Sequence, residues 1–308
     1  MPVRKGVLIM KQALQRGLLT LLILSLLFSI CACAGSAPND TTAETLPYVN
    51  ELFCNLSRKE GTVDIVMFRV GMSDAILIAT QNCNILIDTG EKNDQDADKI
   101  IEYLKFQNIT KLDAVIVSNL LTDNIGGFER ISAEVEIGMV IEPFYNATGH
   151  RYTKFLRDVT LSGAELHSLS DVTEFTFDDI TITCHPAKNP IVYDTEEDMS
   201  LVTTVTHGNN TMLLCGNIRE PRIAEVTASI TEPFDIVKLP DHGFWFDGIG
   251  AFLDLYQPQY ALISDSAMNE VSYDMLSLLA EKNITYYRTA DAYVCITSNG
   301  KSLKAAQY

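Results

Sequence analysis

The chain is poor in histidine, with five in 308 residues, and has a single tryptophan. None of its seven cysteines forms a Cys-x-x-C pair, which excludes a zinc ribbon or a thioredoxin-like redox site as its organising feature. Beyond residue 35 no run is long and apolar enough to cross a membrane. Basic residues are outnumbered, 23 Lys and Arg against 40 Asp and Glu, a net charge of −17. That field repels a polyanion, because nucleic-acid binding draws on Lys and Arg to replace counterions, so no nucleic-acid partner is expected. His150, His167 and His185 stand alone, with no partner at ligand spacing, and read as surface or hydrogen-bonded residues.

What is present begins at the amino terminus. Arg4, Lys5, Lys11 and Arg16 precede an apolar stretch from Gly17 to Ile30, a charged-then-apolar order that reads as a secretory signal. It ends in Cys31-Ala32-Cys33-Ala34-Gly35, which resembles a bacterial lipobox with Cys33 as the lipidated cysteine; the plainer alternative is a signal peptide cut near Ala34. On the first reading residues 1–32 are the signal, 33–60 a lipid-attachment cysteine and linker, and 61–308 one folded domain outside the cytoplasm, held to the membrane by its anchor. Residues 1–32 contain those four bases and no acid, so their removal takes the net charge from −17 to −21. The linker is rich in Ser, Ala, Pro, Asn, Asp and Thr from Ser36 to Thr45, a composition that stays solvated. Arg58-Lys59-Glu60 reads as a solvated turn. Cys54, Cys83, Cys184, Cys215 and Cys295 are odd in number, so one thiol at least stays free within the chain, and one or two disulfides of unspecified pairing are allowed in an oxidising compartment.

The folded part opens with β-rich runs at Val63–Val70 and Ala75–Ile78, joined by a glycine-containing turn, and a third at Asn84–Ile87 that ends in Asp88-Thr89-Gly90. Helical spacing of Ile100, Ile101, Leu104 and Phe106 follows, then an apolar strand from Leu112 to Val117. Further runs predict a hairpin over 200–214, helices over 249–256 and 273–281, and strands over 260–263, 284–288 and 292–297. This alternation is that of a layered α/β protein. The region 131–198 is the least informative; its acidic turns, Asp178-Asp179 and Glu196-Glu197-Asp198, read as solvated, or as the oxygen clusters of a weak calcium site.

The most chemically suggestive stretch is the loop after the 112–117 strand, Ser118-Asn119-Leu120-Leu121-Thr122-Asp123-Asn124-Ile125-Gly126-Gly127. Loops at the carboxyl ends of strands are where α/β sheets place their chemistry. This one resembles T-H-x-H-x-D-H-x-G-G, the metal-binding loop of the metallo-β-lactamase fold. The opening runs are similar to the corresponding segment of the ComEC-type DNA-uptake family, V-x-F-x-x-V-G-Q-G-D-A-I-L-I then L-I-D-T-G, with Asp74 and Asp88-Thr89-Gly90 in agreement and Met72-Ser73 departing. The resemblance implies an αβ/βα four-layer sandwich, a hydrolase site, and zinc or manganese in it.

Asn119, Leu121 and Asn124 stand at the family's histidine positions, and only Asp123 agrees. Leucine has no lone pair to offer a metal, and an amide oxygen suits calcium or magnesium better than zinc. Leu214-Cys215-Gly216-Asn217 resembles L-L-x-G-D, with Asn217 in place of the metal-bridging aspartate, and His207 in the preceding hairpin turn is expected to be exposed. Lys238-Leu239-Pro240-Asp241-His242-Gly243 resembles K-x-x-H-H-G-S, with Asp241 replacing one histidine and His242 kept. The late I-S-x-G-x-x-N segment matches at Ile263-Ser264 and Asn269, but Tyr273 falls near the place of its closing histidine. Asp88 corresponds to the residue that braces the metal loop from behind. Asn119, Leu121, Asp123, Asn124, Asn217, Asp241 and His242 are therefore read as a vestigial pocket holding no metal or other cofactor. The chain reads as a non-catalytic protein binding an unidentified small molecule or protein. The rival is a metal-dependent hydrolase whose site is rebuilt from Asp123, Cys215, Asp241 and His242, and a purely structural surface protein is a third class.

Overall fold

A computed structural model of the chain describes residues 53–308. The signal, Cys33 and most of the linker range lie outside those residues. Fifteen strands are described, and they form two sheets. The first has the order β15-β14-β1-β2-β3-β4-β5-β6 and the second β13-β12-β11-β10-β9-β8-β7. In the first are β1 (Val63–Met67), β2 (Ile76–Ala79), β3 (Asn84–Ile87), β4 (Lys111–Ile116), β5 (Glu136–Pro143), β6 (Glu165–Leu169), β14 (Val294–Ser298) and β15 (Leu303–Gln307). In the second are β7 (Thr173–Phe177), β8 (Ile180–His185), β9 (Val202–His207), β10 (Asn210–Leu214), β11 (Ile236–Lys238), β12 (Tyr260–Ile263) and β13 (Thr285–Arg288).

Alternation along the strands decides how the sheets stack. In β1, Val63, Ile65 and Met67 face one way and Val66 the other; in β2, Ile76 and Ile78 oppose Leu77 and Ala79. The first set meets Met212 and Leu214 of β10, Ile236 of β11 and Leu262 of β12 between the sheets. Because both faces of the central strands are buried, they read as continuous apolar runs. On the outer face of the first sheet lie α1 (Asp94–Phe106), α3 (Phe128–Glu134) and α4 (His150–Ser162), inserting Ile100, Leu104, Ile131 and Phe155. The outer face of the second is covered by α5 (Glu220–Ser229), α6 (Ile249–Tyr256) and α7 (Tyr273–Glu281), through Val226, Phe252 and Leu279. Three apolar layers thus separate four structural ones, the αβ/βα sandwich. Each buried Leu, Ile or Phe contributes about 1.5–3 kcal/mol.

Helix starts are set locally. The Asn93 side chain accepts the Asp96 N–H at the head of α1, and Ser272 accepts that of Met275 at the head of α7. The core extends to Phe53, Cys54 and Leu56, in the range read as linker: Phe53 packs edge-on against Tyr103 and Tyr293, and Cys54 is bonded to Cys295. Arg58 is not simply solvated; its guanidinium donates to the Thr80 carbonyl and to Asn84.

Polar residues of the middle region also differ from expectation. His207 is buried rather than exposed, bridging Ser298 at 2.8 Å and Asp179 at 3.1 Å. Asp178 accepts from Thr80 and Asn82, Glu196 pairs with Arg151, and Asp198 is buried and accepts the Arg219 N–H. These acids bind the chain to itself; they are neither bare solvated turns nor a calcium cluster.

Candidate functional site

The loops that leave β3, β4, β10, β11 and β12 at one end of the sandwich bring together the singled-out residues. Parallel pairing fixes this: Ile87 lies beside Ile116, Leu214 beside Lys238, and Lys238 beside Leu262. The loop after β4 turns into a four-residue helix, α2 (Thr122–Ile125). Gly126 and Gly127 let it press on the chain after β3. A methyl at Gly126 would stand 2.1 Å from the Lys92 nitrogen, and one at Gly127 would stand 2.2 Å from the Thr89 carbonyl oxygen. The loop is further held by the Asn124 carbonyl, which accepts from the Thr89 N–H at 2.7 Å and its hydroxyl at 2.9 Å.

Beneath the loop, the Asp88 carboxyl accepts the Ser118 N–H at 2.7 Å. Burial, and secondarily the nearby Asp74 carboxylate, push its pKa up to about 8, so at neutral pH it is largely a neutral acid. Its left-handed backbone (φ 57°) is shared by Asp241 (φ 42°) and His242 (φ 58°). Non-glycine residues in that region collect at functional sites.

Apart from Leu121, which lines the cavity described below, the side chains at the ligand positions of the resembled motifs are engaged with neighbours. Asn119 is wholly buried, donating to the Ser200 hydroxyl at 3.0 Å and accepting the Leu121 N–H at 2.9 Å. Asn124, also buried, donates to the Ser118 hydroxyl at 3.0 Å. Asn217 donates to Asp123 at 2.9 Å. Asp241 receives Arg219 at 2.9 Å, and His242 Nδ1 lies 3.1 Å from the Ser264 carbonyl and 2.9 Å from its hydroxyl. Burial lowers the His242 pKa and the Lys238 ammonium lowers it further, so the imidazole is neutral. Asp123 moves the other way, raised chiefly by burial.

An open cavity of about 450 Å³ lies above these residues, lined by Leu121, Asp123, Asn217, Asp241 and His242. Asn119 and Asn124 are not on its wall; they sit in the packing beneath the loop. Phe244, which stands at the serine place of K-x-x-H-H-G-S, is also on the wall, and sequence reasoning missed Arg151 and Arg219 there. Arg219 is two residues from Asn217, the one hint available, while Arg151 lies in the region without a pattern. Cys215 belongs elsewhere. It is buried in the layer between the second sheet and its helices, where desolvation pushes its thiol up to about 12, so it joins no mixed site with Asp123, Asp241 and His242.

The donors do not fit a catalytic zinc or manganese. Among the described residues no three His, Cys, Asp or Glu side chains converge as a ligand group. Asn217 turns its NH₂ to Asp123, and Asp241 is held by Arg219. A catalytic zinc requires about three protein ligands converging on one open position.

No protein family and no curated protein matches the sequence. Solved structures do match the architecture. The metallo-β-lactamase fold protein YhfI from Bacillus subtilis superposes with a TM-score of 0.51 at 12% identity, over 74% of this chain and 95% of that one. The chain has the metallo-β-lactamase fold. Igni18, a metallo hydrolase from the archaeon Ignicoccus hospitalis, gives a TM-score of 0.50 at 12% identity over 80% and 99% of the two chains. CmlA, a diiron β-hydroxylase from Streptomyces venezuelae, gives 0.50 at 13% identity, over 80% of this chain and 54% of its own. At such identities the likeness is one of fold, and chemistry must be argued from the site.

Proposed function

We propose that the chain is an exported, membrane-anchored protein of metallo-β-lactamase fold, resembling the ComEC hydrolase domain, that acts without metal chemistry as a non-catalytic binding or accessory protein. The observation that carries this reading is the pairing of Asn119 with Ser200, Asn124 with Ser118, Asn217 with Asp123 and Asp241 with Arg219, where converging ligands would be needed. The cavity persists above them, open and lined by mixed side chains, as a ligand site needs. Export is supported by the signal-like residues 1–32 and by the Cys54–Cys295 disulfide, a bond that persists in oxidising compartments. Anchoring rests on the lipobox-like Cys33.

The test is the metal content of the purified protein after dialysis without chelator, beside an Asp123→Ala, His242→Ala variant. Substoichiometric metal in both is the expected result. Near-stoichiometric zinc, manganese or iron that vanishes in the variant would instead favour a metal-dependent hydrolase with a rebuilt site, a reading to which the shared cavity of Asp123, Asp241 and His242 lends its one support. Anchoring is tested separately: detergent-phase partitioning should be lost in Cys33→Ala.

A further inference from the structure

The floor of the 450 Å³ cavity offers hydrogen-bond acceptors without donors to match. Asn217 is 2% exposed and its Oδ1 has no partner. Which end of that amide is free is fixed, because its other end faces the Asp123 carboxylate, which accepts and does not donate, so the NH₂ points there and the carbonyl is left over. His242 is fixed by the same logic: Nδ1 meets the Ser264 carbonyl, so Nδ1 carries the proton and Nε2 presents a lone pair. Asp123 accepts the Asn217 amide at Oδ2, which leaves Oδ1 available.

The basic groups on the wall do not answer this demand. Arg151 is paired with Glu196 at 2.7 Å, and Arg219 with Asp241 at 2.9 Å and Glu197 at 3.3 Å. Both guanidinium charges are matched by acids, with the buried Arg151 Nε left unpartnered, and Glu91 and Glu197 also line the cavity, so its wall suits a cation better than an anion; the whole chain carries a net charge of −17. Phe244, about half exposed, is shared with an adjoining cavity of about 280 Å³ and offers an apolar surface beside the polar floor.

We propose that this cavity binds a primary ammonium group carried on a small organic molecule, its three N–H donors meeting Asp123, Asn217 and His242 and its carbon body lying against Phe244. An ammonium matches three acceptors of mixed type as a point charge with three donors, and it demands none of the convergent strong ligands that a zinc does. The inference rests on the non-catalytic reading and names the ligand class for the same cavity.

The experiment is calorimetric titration of the full chain in mild detergent with 2-phenylethylamine, with its N,N,N-trimethyl analogue, and separately with zinc and manganese. The amine should bind once per chain. The trimethyl analogue has the charge but no N–H, and should bind about tenfold or more weakly; Asp123→Asn, similar in shape, should weaken the amine by about ten- to a hundredfold. The comparison of the two cations uses the unaltered protein and so does not depend on how the variant folds. Equal binding of the two cations would overturn the assignment of donors to acceptors. Binding of neither cation nor metal would overturn the ammonium proposal and leave the non-catalytic reading standing. Stoichiometric metal binding with no amine binding would overturn both.

Discussion

Lys238 of the second sheet reaches Asp74, in the turn between β1 and β2 of the first, and both side chains are almost wholly buried. Lys238 follows Val237 on the face that Ile236 turns to the inter-sheet core, so strand alternation sends its ammonium into that layer. It also donates to the Gly216 carbonyl at 3.0 Å, tying the turn before Asn217 to the same point. Burial acts to raise the Asp74 pKa, but Lys238, with His242 and Ser264, more than reverses it, so the carboxyl titrates below its usual range. Removing one partner strands a buried charge. Lys238→Met should therefore cost about 3–5 kcal/mol, whereas the double change Asp74→Leu, Lys238→Met should recover much of that loss. Urea unfolding of the three proteins checks this; a double variant as unstable as the single one would mean that the pair does more than neutralise itself.

Asp88 makes stability depend on pH in a particular direction. Its folded pKa of about 8 lies above that of the unfolded carboxyl, about 4, so between these values the unfolded chain has released a proton that the folded chain keeps. Its contribution is fully present below pH of about 4 and is lost as the pH rises to about 8. Asp88→Asn keeps an acceptor for the Ser118 N–H and suits the left-handed backbone, while removing the titration. Relative to the unaltered protein, the variant should gain stability between pH 5 and pH 8. Denaturant midpoints for both proteins at the two pH values read the difference, and a difference that does not change with pH would rule the mechanism out.

The Cys54–Cys295 bond joins residues 241 apart and fastens the start of the described chain to β14, where Phe53 and Tyr103 pack beside it. Cross-links over such long separations restrict the unfolded chain most, and losing a native one costs about 2–5 kcal/mol. Cys54→Ala, Cys295→Ala should lower the melting temperature in the oxidised protein, and a reductant should do the same to the unaltered chain but not to the variant. Among the described residues the free thiols are Cys83, Cys184 and Cys215. Of these three, Cys83 alone should be alkylated in the folded state, because the other two are fully buried.

The apolar periodicities of 249–256, 260–263 and 273–281 give the observed boundaries of α6, β12 and α7, because each is a clean amphipathic or buried run. β1 to β4 and β14 of the first sheet are legible for the same reason, whereas β5, β6 and β15 lie where the sequence shows no clear pattern. What stayed hidden depends on pairing across long separations. Nothing local marks Cys54 for Cys295, Asp179 for His207 or Asp241 for Arg219. At the site, the residue types of Asn119, Leu121 and Asn217 are legible in the loop motifs; that Asn119 turns inward to Ser200 while Leu121 faces the cavity is not, since neighbours in a short loop can point anywhere. Cys215 shows the converse error: its place beside the Gly216-Asn217 turn suggests a site residue, but the alternation of β10, continued one residue past Leu214, sends it with Leu213 to the opposite core.

Gly126 tests whether the loop geometry is kept for its packing. Its N–H donates to the Gly90 carbonyl at 3.1 Å, and the site of a Cβ is already filled by backbone, the Lys92 nitrogen at 2.1 Å and the Thr122 oxygen at 2.4 Å. No rotamer change relieves a clash with main chain, so Gly126→Ala must push α2 away from the turn after β3. The expected cost is about 3 kcal/mol, the upper end for overpacking. The displacement would also loosen the Asn124 carbonyl from Thr89 and move Asp123 relative to Asn217, so ligand binding in the cavity should weaken together with stability. Gly250→Ala is the control: its Cβ meets nothing within 4 Å and its φ is not positive, so it adds a methyl without strain. Unfolding midpoints of the two variants decide the matter, for if Gly126→Ala were no worse than Gly250→Ala, the paired glycines would not be holding the loop against the chain after β3.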